Sequence, residues 1–382
     1  PSIEATTSEE DFSSSSDEET SKQAEELEKT PILQTYSDYS YNNIYPIDSA
    51  PTEGEVRLLV IPVWFTDSSS FIQNKDKVRS DIGLAYFGTK EDTGWHSVKS
   101  FYEAESRDAV TISGTVSPWY SCSRKSSYYG QDEDGRTTKL VKTATDWYFT
   151  STGEDPQDYD GDGDGYLDGV MLIYGAPDWQ SNKSDNNANL WAYCFWVQDS
   201  TIKNPAKPGV NTYFWASYDF MYQSGLNTRT LVGSAFGAGD CRFCKIDAHT
   251  YIHEMGHVFG LDDYYDYGDG GYSPAGSFSM QDMNIGGHDP FSLLSFGWVE
   301  PYIPKESTTI QIRSFQDSGD LILLTPSWND FDSPFDEYLL LELYTPTGLN
   351  AFDSTHKYMD AYPQGPSVTG IRVWHVDARL LY

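Results

Sequence analysis

The sequence predicts a mixed α+β fold with a central twisted sheet, followed by the start of a β-sandwich-like region. Two observations support this prediction. Residues 51–301 alternate apolar, strand-like runs with helix-like segments, which is typical of helices packed against a sheet. After Pro301 the chain changes to short segments of alternating apolar and polar residues, which is typical of antiparallel β-structure. We therefore expect a central domain at 51–301 and a β-rich C-terminal region at 302–382.

The first 50 residues form a separate acidic segment that is rich in serine and threonine. Residues 1–30 hold ten acidic residues and two lysines, and such a composition buries too little apolar surface to fold. We expect a disordered segment. A plain linker and a tether to a cell envelope fit this composition equally well.

Apolar periodicity predicts the individual strands and helices. Residues 55–65 form a near-continuous apolar run, as expected of a buried strand. Further strands are predicted at 169–174, 190–197 and 212–218, and helices at 97–106, 138–150 and 246–259. In the C-terminal region the predicted strands are 309–313, 320–324, 338–344 and 370–376. Because the last strand ends close to Tyr382, we expect the C-terminal region to be truncated here.

The helix at 246–259 carries the most informative motif, His253-Glu254-Met255-Gly256-His257. On a helix, His253 and His257 lie one turn apart on the same face, so both imidazoles can bind one metal ion, typically zinc. Glu254 stands beside them, where a carboxylate can take the proton of a metal-bound water. Two satisfied core histidines are the alternative interpretation, but it does not explain the residues that follow.

Gly260 and Asp263 follow the motif at distances that suit a third ligand. Gly260 can adopt the left-handed conformation that ends a helix and turns the chain back toward the metal. No glutamate occurs between Glu254 and Glu300, so a glutamate from a nearby downstream helix is excluded. Asp263 is the predicted third zinc ligand, with Asp262 and Asp266 as rivals.

A methionine on a tight turn after such a motif can form the hydrophobic floor beneath the metal ligands. Met280 is the candidate for this Met-turn, and Met283 is its rival. Either one taken singly is equally well explained as an ordinary core methionine.

The segment His253–Asp266, with Ser279–Asp282 and Leu294–Val299 downstream, resembles the immune inhibitor A-like metallopeptidases, which are secreted bacterial enzymes. The resemblance covers about residues 55–300. It implies a metzincin-like zinc-peptidase catalytic domain with an active-site helix. By resemblance, the three residues named above bind zinc and Glu254 is the catalytic base. The sequence departs from the family pattern in having Asp262 in place of a frequent proline, Tyr264 in place of a common acidic residue, and Gln281 where a second methionine is frequent.

The function expected from these motifs is that of a secreted, zinc-dependent endopeptidase that hydrolyses peptide bonds in proteins. A catalytically idle binding or adhesive protein of the cell surface, built on a metallopeptidase fold, is the alternative. The intact glutamate of the motif argues against this alternative.

A second metal-binding motif lies at 160–168. It spaces carboxylates two residues apart, like the first nine positions of an EF-hand loop, and the Tyr166 carbonyl is the expected backbone ligand. The twelfth position is Met171 in place of glutamate, so the motif is not an EF-hand. We expect a structural calcium site that leads directly into the strand at 169–174. The predicted ligands are Asp160, Asp162, Asp164, Tyr166 and Asp168.

The four cysteines allow three full disulfide pairings. Cys241 and Cys244 lie just before the zinc-binding helix, without a second pair that would complete a zinc knuckle. A disulfide that links this segment to Cys122 or Cys194 is the expected arrangement in a secreted protein.

Composition and charge limit the partners of the chain. The net charge is −33, so nucleic acids and anionic membrane surfaces are poor partners, and protein or peptide substrates are expected. No apolar run approaches the length of a membrane span. Because the chain begins at Pro1 without methionine, any signal peptide has been removed or left out, and an extracellular location is inferred from the motifs and the composition.

Overall fold

The computed structural model describes residues 29, 50–131, 135–180, 183–184, 187–197, 199–224, 245–266, 268, 273–326, 336–359 and 362–377. These residues fall into two compact units. The larger unit consists of Ser40–Asp289 and Leu349–Gly365, and the smaller unit consists of Pro1–Tyr39, Pro290–Gly348 and Pro366–Tyr382. Apart from Lys29 and Ala50, the predicted acidic segment lies outside the described residues.

The larger unit is built on a mixed sheet, which confirms the predicted mixed α/β fold. The strand order is β2-β1-β4-β6-β5, with the short β3 also paired to β1. All pairs are parallel except β5 with β6, which are antiparallel. The strands are β1 (Gly54–Trp64), β2 (Val110–Val116), β3 (Tyr120–Ser121), β4 (Gly169–Tyr174), β5 (Tyr193–Trp196) and β6 (Thr212–Ser217).

Helices accompany this sheet because parallel strands need crossover connections. Every residue of β4 and of β6 is buried, as expected of interior strands covered on both faces. The helices of the larger unit are α1 (Lys75–Phe87), α2 (Val98–Glu105), α3 (Ser126–Gly130), α4 (Arg136–Thr152), α5 (His249–Val258) and α6 (Met280–Met283). Short 3₁₀ turns occupy Ser68–Ser70, Pro156–Tyr159, Ser200–Ile202, Tyr218–Tyr222 and Gly348–Asn350.

A cluster of buried side chains joins α4 to the sheet. Leu140, Val141 and Tyr148 of α4 pack with Leu172 of β4 and Trp215 of β6. The helix begins after Gly135 and ends at Gly153, both with positive φ. Helix α5, which carries the predicted metal-binding motif, packs against α2, β5 and β6. This motif therefore lies against the antiparallel edge of the sheet.

The smaller unit contains one four-stranded sheet in the order β10-β9-β8-β7. Its strands are β7 (Pro301–Tyr302), β8 (Leu321–Leu324), β9 (Glu337–Tyr344) and β10 (Gly370–Asp377), and its helices are α7 (Pro290–Ser295) and α8 (Phe315–Ser318). The predicted strand at 309–313 is wrong. Ile312 is buried in the core of this unit, but the segment forms no ladder, and only the next residue, Ser314, makes an isolated bridge to Leu343.

No helix in the described part of the chain is long and apolar enough to cross a membrane.

Candidate active site

Helix α5 places His253 and His257 on one face, as the spacing predicts. His253 is 5% exposed, and the two Nε2 atoms lie 3.2 Å apart. Gly260 follows the helix with φ of +102°, a conformation that residues with a Cβ rarely adopt. The Leu261 N–H then donates to the Gly256 carbonyl over 3.0 Å, which closes the helix and turns the chain back.

The turn brings Asp263 to the two histidines. Its Oδ1 lies 2.9 Å from His253 Nε2 and 3.2 Å from His257 Nε2. Ligand atoms of these three residues all lie within 4.8 Å of one another, and neither Asp262 nor Asp266 belongs to this group. Asp262 is exposed to solvent. The structure therefore brings together the three residues that the sequence predicts as zinc ligands.

Hydrogen bonds fix the orientation of all three side chains. His253 Nδ1 donates to the Met280 carbonyl over 2.8 Å, and His257 Nδ1 donates to the Leu261 carbonyl over 2.7 Å. Because carbonyls only accept, each Nδ1 donates its proton to a carbonyl, and Nε2 is the ring atom left to bind a metal. The Tyr265 hydroxyl donates to Asp263 Oδ2 over 2.8 Å and leaves Oδ1 directed at the histidines.

This arrangement fits a zinc ion. Bonds of about 2.1 Å in a tetrahedral arrangement separate neighbouring ligand atoms by roughly 3.4 Å, close to the distances between the Nε2 and Oδ1 atoms. Two imidazoles and one carboxylate are a ligand set typical of catalytic zinc, which keeps a fourth position open.

Electrostatics couple the three groups. Burial lowers the pKa of His257, but the hydrogen bond and the charge of Asp263 raise it more, to about 9. Burial raises the pKa of Asp263, but its contacts with His253 and His257 hold that pKa well below its ordinary value. The site therefore holds an ionised carboxylate beside two imidazoles, and a metal ion bound there would displace the proton that Asp263 favours on His257.

Glu254 lies beside this group and is 5% exposed. Its Oε2 is buried and has no hydrogen-bond partner, an arrangement that costs free energy in a folded protein. Burial raises the pKa of Glu254 to about 7, although the positive potential of His253 and His257 opposes this shift. A carboxylate with a pKa near neutrality suits proton transfer at neutral pH.

The Met-turn candidate Met280 is fully buried and supplies the carbonyl that holds His253, whereas Met283 is partly exposed. Its neighbour Gln281 is fully buried as well, and a Cβ added at Gly256 would lie only 2.3 Å from Gln281 Oε1. The glycine within the motif is thus required by the close approach of Gln281.

Gln281 belongs to a buried network that the sequence does not predict. Gln281 Oε1 lies 3.1 Å from His288 Nε2, and His288 Nδ1 lies 2.5 Å from Glu105 Oε2. Glu105 is 183 residues away from His288 along the chain, so no local pattern links them. In the sequence, the signal that could have indicated this network is Gln281, which stands where the family frequently has a second methionine.

The second predicted metal motif is only partly assembled. Carboxylate oxygens of Asp160, Asp162 and Asp168 lie within 4.8 Å of one another. Asp164 is not part of this group, because its Oδ1 accepts the Tyr166 N–H and its Oδ2 lies 3.7 Å from Lys203 Nζ. Burial raises the pKa of Asp168 to about 7.

Cys122 and Cys194 form no disulfide within the described part of the chain. A disulfide from the segment before α5 to either of them stays a prediction. Cys122 Sγ lies 3.2 Å from the Tyr129 hydroxyl. Cys241 and Cys244 lie outside the described residues.

Comparisons with known proteins agree with the geometry of the site. A family model described as the catalytic domain of immune inhibitor A peptidase M6 matches residues 75–287. The pre-pro-metalloprotease PrtV from Vibrio cholerae serotype O1, in strains M66-2 and ATCC 39315, is 26% identical over 191 residues. This match covers 44% of the chain and 19% of PrtV, so the chain spans about a fifth of the length of these relatives.

Among solved structures, metalloproteinase-II from Bacteroides fragilis is similar over 71% of this chain and 57% of its own, with a TM-score of 0.26 and 11% identity. That likeness is too weak to carry an argument. The family model, in contrast, covers more than half of the chain and includes the whole ligand cluster, and so the chain belongs to the immune inhibitor A peptidase M6 family of metallopeptidases.

Proposed function

We propose that the chain is a zinc-dependent endopeptidase that hydrolyses proteins or peptides, with zinc held by His253, His257 and Asp263. One observation carries this proposal. Three oriented ligand atoms converge within 4.8 Å of one another, beside a buried carboxylate oxygen of Glu254 that has no partner of its own. An unpartnered buried carboxylate oxygen destabilises a fold, and beside the ligand cluster it suits metal-assisted hydrolysis.

A zinc ion held by His253, His257 and Asp263 would supply a Lewis acid for peptide hydrolysis. Glu254 accepts a proton from the attacking water at its carboxylate and passes it to the leaving amine. The carbonyls of Met280 and Leu261 keep His253 and His257 in the orientation that this reaction needs. Tyr265 holds Asp263 in the same way.

Glu254→Gln tests this mechanism. The amide keeps the shape of the side chain but cannot accept the proton, so cleavage of casein and peptide libraries should fall by about 10²–10⁴-fold. Zinc content, measured by elemental analysis, should stay at one per chain. Glu53→Gln removes an exposed carboxylate far along the chain from the motif and serves as the matched control, with wild-type cleavage expected.

Wild-type cleavage by Glu254→Gln would exclude this role for the glutamate. Zinc binding by the wild type without any cleavage would instead favour the catalytically idle binding protein.

We propose a structural calcium site in the loop that precedes β4. Asp160, Asp162 and Asp168 converge there, and Asp160 Oδ1 is buried without a hydrogen-bond partner. Calcium binds such carboxylate clusters together with carbonyls and water, so the Tyr166 carbonyl belongs to the proposed site, and Asp164 would join it only by leaving its contact with Lys203. Close carboxylates repel one another, and a cation offsets this repulsion.

Calcium titration by calorimetry checks the second site. Asp162→Asn should lower calcium affinity and abolish the rise in melting temperature that calcium gives the wild type. Asp146→Asn changes an exposed carboxylate of α4 and should leave both unchanged. Equal calcium responses in the two variants would contradict the site.

We also propose that the enzyme acts outside the cell. The immune inhibitor A-like enzymes that the sequence resembles are secreted, and the net charge of −33 keeps a protein soluble and apart from anionic surfaces. Detection of the protein in the culture medium checks this proposal, and its retention in the cytoplasm would contradict it.

A further inference from the structure

A short segment from the far end of the chain packs into the same unit as the metal-binding motif. Residues Leu349–Gly365 follow β9, yet they belong to the larger unit. The family model ends at residue 287, so it does not contain this segment. The Leu349 carbonyl accepts a hydrogen bond from Trp95 Nε1 over 3.0 Å, and Tyr358 is fully buried.

His249 is the partner of this segment on the active-site helix. It is fully buried one helical turn before His253 and is not part of the metal cluster. Its Nδ1 lies 2.8 Å from Asp247 Oδ1, and its Nε2 lies 3.2 Å from Asp353 Oδ2. Since carboxylates accept hydrogen bonds, a ring that donates to both is an imidazolium.

Aromatic rings enclose this imidazolium on both faces. The Trp95 ring stacks on His249 with a centroid distance of 3.9 Å, and the Tyr358 ring stacks on it at 4.5 Å. Such contacts stabilise a buried cation. Burial lowers the pKa of His249, but Asp247 and Asp353 raise it more, to about 10.

Asp353 also holds the turn that carries Met280. Its Oδ2 accepts the Gly286 N–H over 2.7 Å, and Asn350 Oδ1 accepts the Gly287 N–H over 3.3 Å. Gly286 has φ of +61°, and a Cβ there would lie 2.3 Å from Asn350 Oδ1. Only glycine therefore allows this close approach.

A continuous path of hydrogen bonds leads from this turn to the metal cluster. The Gly287 carbonyl accepts the Met280 N–H over 3.2 Å. The Met280 carbonyl in turn accepts the proton of His253 Nδ1 over 2.8 Å. The Asp353 carboxylate thus contacts both ends of the structure that orients His253, namely the start of α5 and the turn beneath it.

We propose that Asp353 and His249 form a positioning pair, through which the segment Leu349–Gly365 fixes the turn at Met280 and so sets the orientation of the zinc ligand His253. Neither residue belongs to the ligand cluster, and both are buried. This inference rests on the proposed zinc-peptidase function. It implies that residues downstream of the family match, which ends at residue 287, contribute to the active site.

The test uses the full chain and the variant Asp353→Asn. The amide removes the negative charge and weakens the link to His249 and Gly286. The dissociation constant for zinc, measured by competition with a chelating dye, should rise about tenfold, as is typical when a group that orients a metal ligand is changed. We expect kcat to fall by a similar factor, with KM nearly unchanged. The absorption spectrum of the Co²⁺-substituted protein should also change, because it reports ligand geometry.

Ser354→Ala is the matched control. Ser354 is buried in the same segment, and its hydroxyl donates to Ala351 without contacting His249 or Gly286. It should leave zinc affinity and the Co²⁺ spectrum at wild-type values, even where stability falls. The double variant His249→Gln/Asp353→Asn replaces the ion pair by two neutral amides, and it tests the same link should Asp353→Asn alone fail to fold.

The outcomes separate the two proposals. A folded Asp353→Asn or double variant with wild-type zinc affinity and Co²⁺ spectrum would overturn the positioning pair and leave the peptidase proposal intact. A wild-type chain that binds no zinc would overturn the peptidase proposal itself.

Discussion

Single residues in this site are constrained by the space and the hydrogen bonds around them. Gly256 lies inside the metal-binding motif, where its lack of a side chain admits Gln281 to the surface of the helix. Gln281 and His288 are both almost fully buried, so neither can move aside without disturbing the packing.

Gly256→Ala should therefore destabilise the protein by about 1–3 kcal/mol, the range found for overpacked cores. It should also weaken zinc binding, because Gln281 is displaced next to Met280. Gly83→Ala is the matched control, since a Cβ there meets only Val116 Cγ2 at 3.8 Å inside α1. It should stabilise the protein by about 0.5–1 kcal/mol. Chemical denaturation measures both free energies of unfolding, and equal effects of the two substitutions would contradict this account.

The Tyr265 hydroxyl gives a second prediction for a single residue. Tyr265→Phe removes the hydrogen bond to Asp263 Oδ2 and leaves the ring in place. Zinc affinity should fall about tenfold, because the carboxylate is no longer held toward the histidines. Tyr128→Phe, at a partly exposed tyrosine, should not change it. Chelator competition compares the two, and equal affinities would show that Asp263 is oriented by other contacts.

Among the helices and strands, the end of α5 determines where the proposed zinc ligand Asp263 lies. Gly260 ends α5 in a backbone conformation that only glycine adopts freely, and Asp263 depends on the turn that follows. Gly153 ends α4 in a comparable way, with φ of +73° and no atom near its missing Cβ.

Replacing either glycine by alanine should cost about 1 kcal/mol or more, because both must keep positive φ. Only Gly260→Ala should also reduce zinc affinity and peptide cleavage, since it shifts Asp263 relative to His253. Urea denaturation and zinc titration of both variants check this expectation. Loss of zinc binding by Gly153→Ala would mean that global destabilisation, not the turn, explains the effect.

How far the sequence predicts the contacts of the site depends on the separation of the residues along the chain. His253, His257, Gly260 and Asp263 lie within eleven residues, where helix geometry and turn chemistry relate them directly. The contacts of Glu105 with His288 and of His249 with Asp353 span 183 and 104 residues. No periodicity connects such distant positions, so these contacts could not be predicted. The isoleucines at 309–313 were misassigned for a related reason, because burial of an extended segment does not require a strand partner.

At the scale of the whole molecule, stability depends on pH through groups whose pKa differs between the folded and unfolded chains. The net charge of −33 affects all variants nearly equally, so differences between variants isolate single groups. Two histidines of the larger unit, the partly buried His96 and the fully buried His249, have pKa values shifted in opposite directions. Burial lowers the pKa of His96 to about 4, whereas Asp247 and Asp353 outweigh burial and raise the pKa of His249 to about 10.

Rising pH changes the contributions of His249 and His96 to the free energy of unfolding in opposite directions. Folded His249 binds its proton more tightly than the unfolded chain, whose histidine titrates near 6.5, so its contribution is complete below pH 6.5 and is lost as pH rises toward 10. Folded His96 resists protonation, so its contribution is present above pH 6.5 and is lost as pH falls toward 4. The difference in free energy of unfolding between wild type and His249→Gln should therefore shrink between pH 6.5 and 10. The difference for His96→Gln should change only between pH 4 and 6.5.

Urea denaturation of the three proteins across this range measures both differences in one experiment. Asp247 and Asp353 are the carboxylates on His249, and Trp95 and Tyr358 stack on it, so among the described residues no other carboxylate pairs with the ring. A His249 difference that stays constant from pH 6.5 to 10 would mean that the ring is neutral in the folded protein. In that case one carboxylate of the pair must carry the proton instead, and the link between the distal segment and the active-site helix would be an ordinary hydrogen bond without an ion pair.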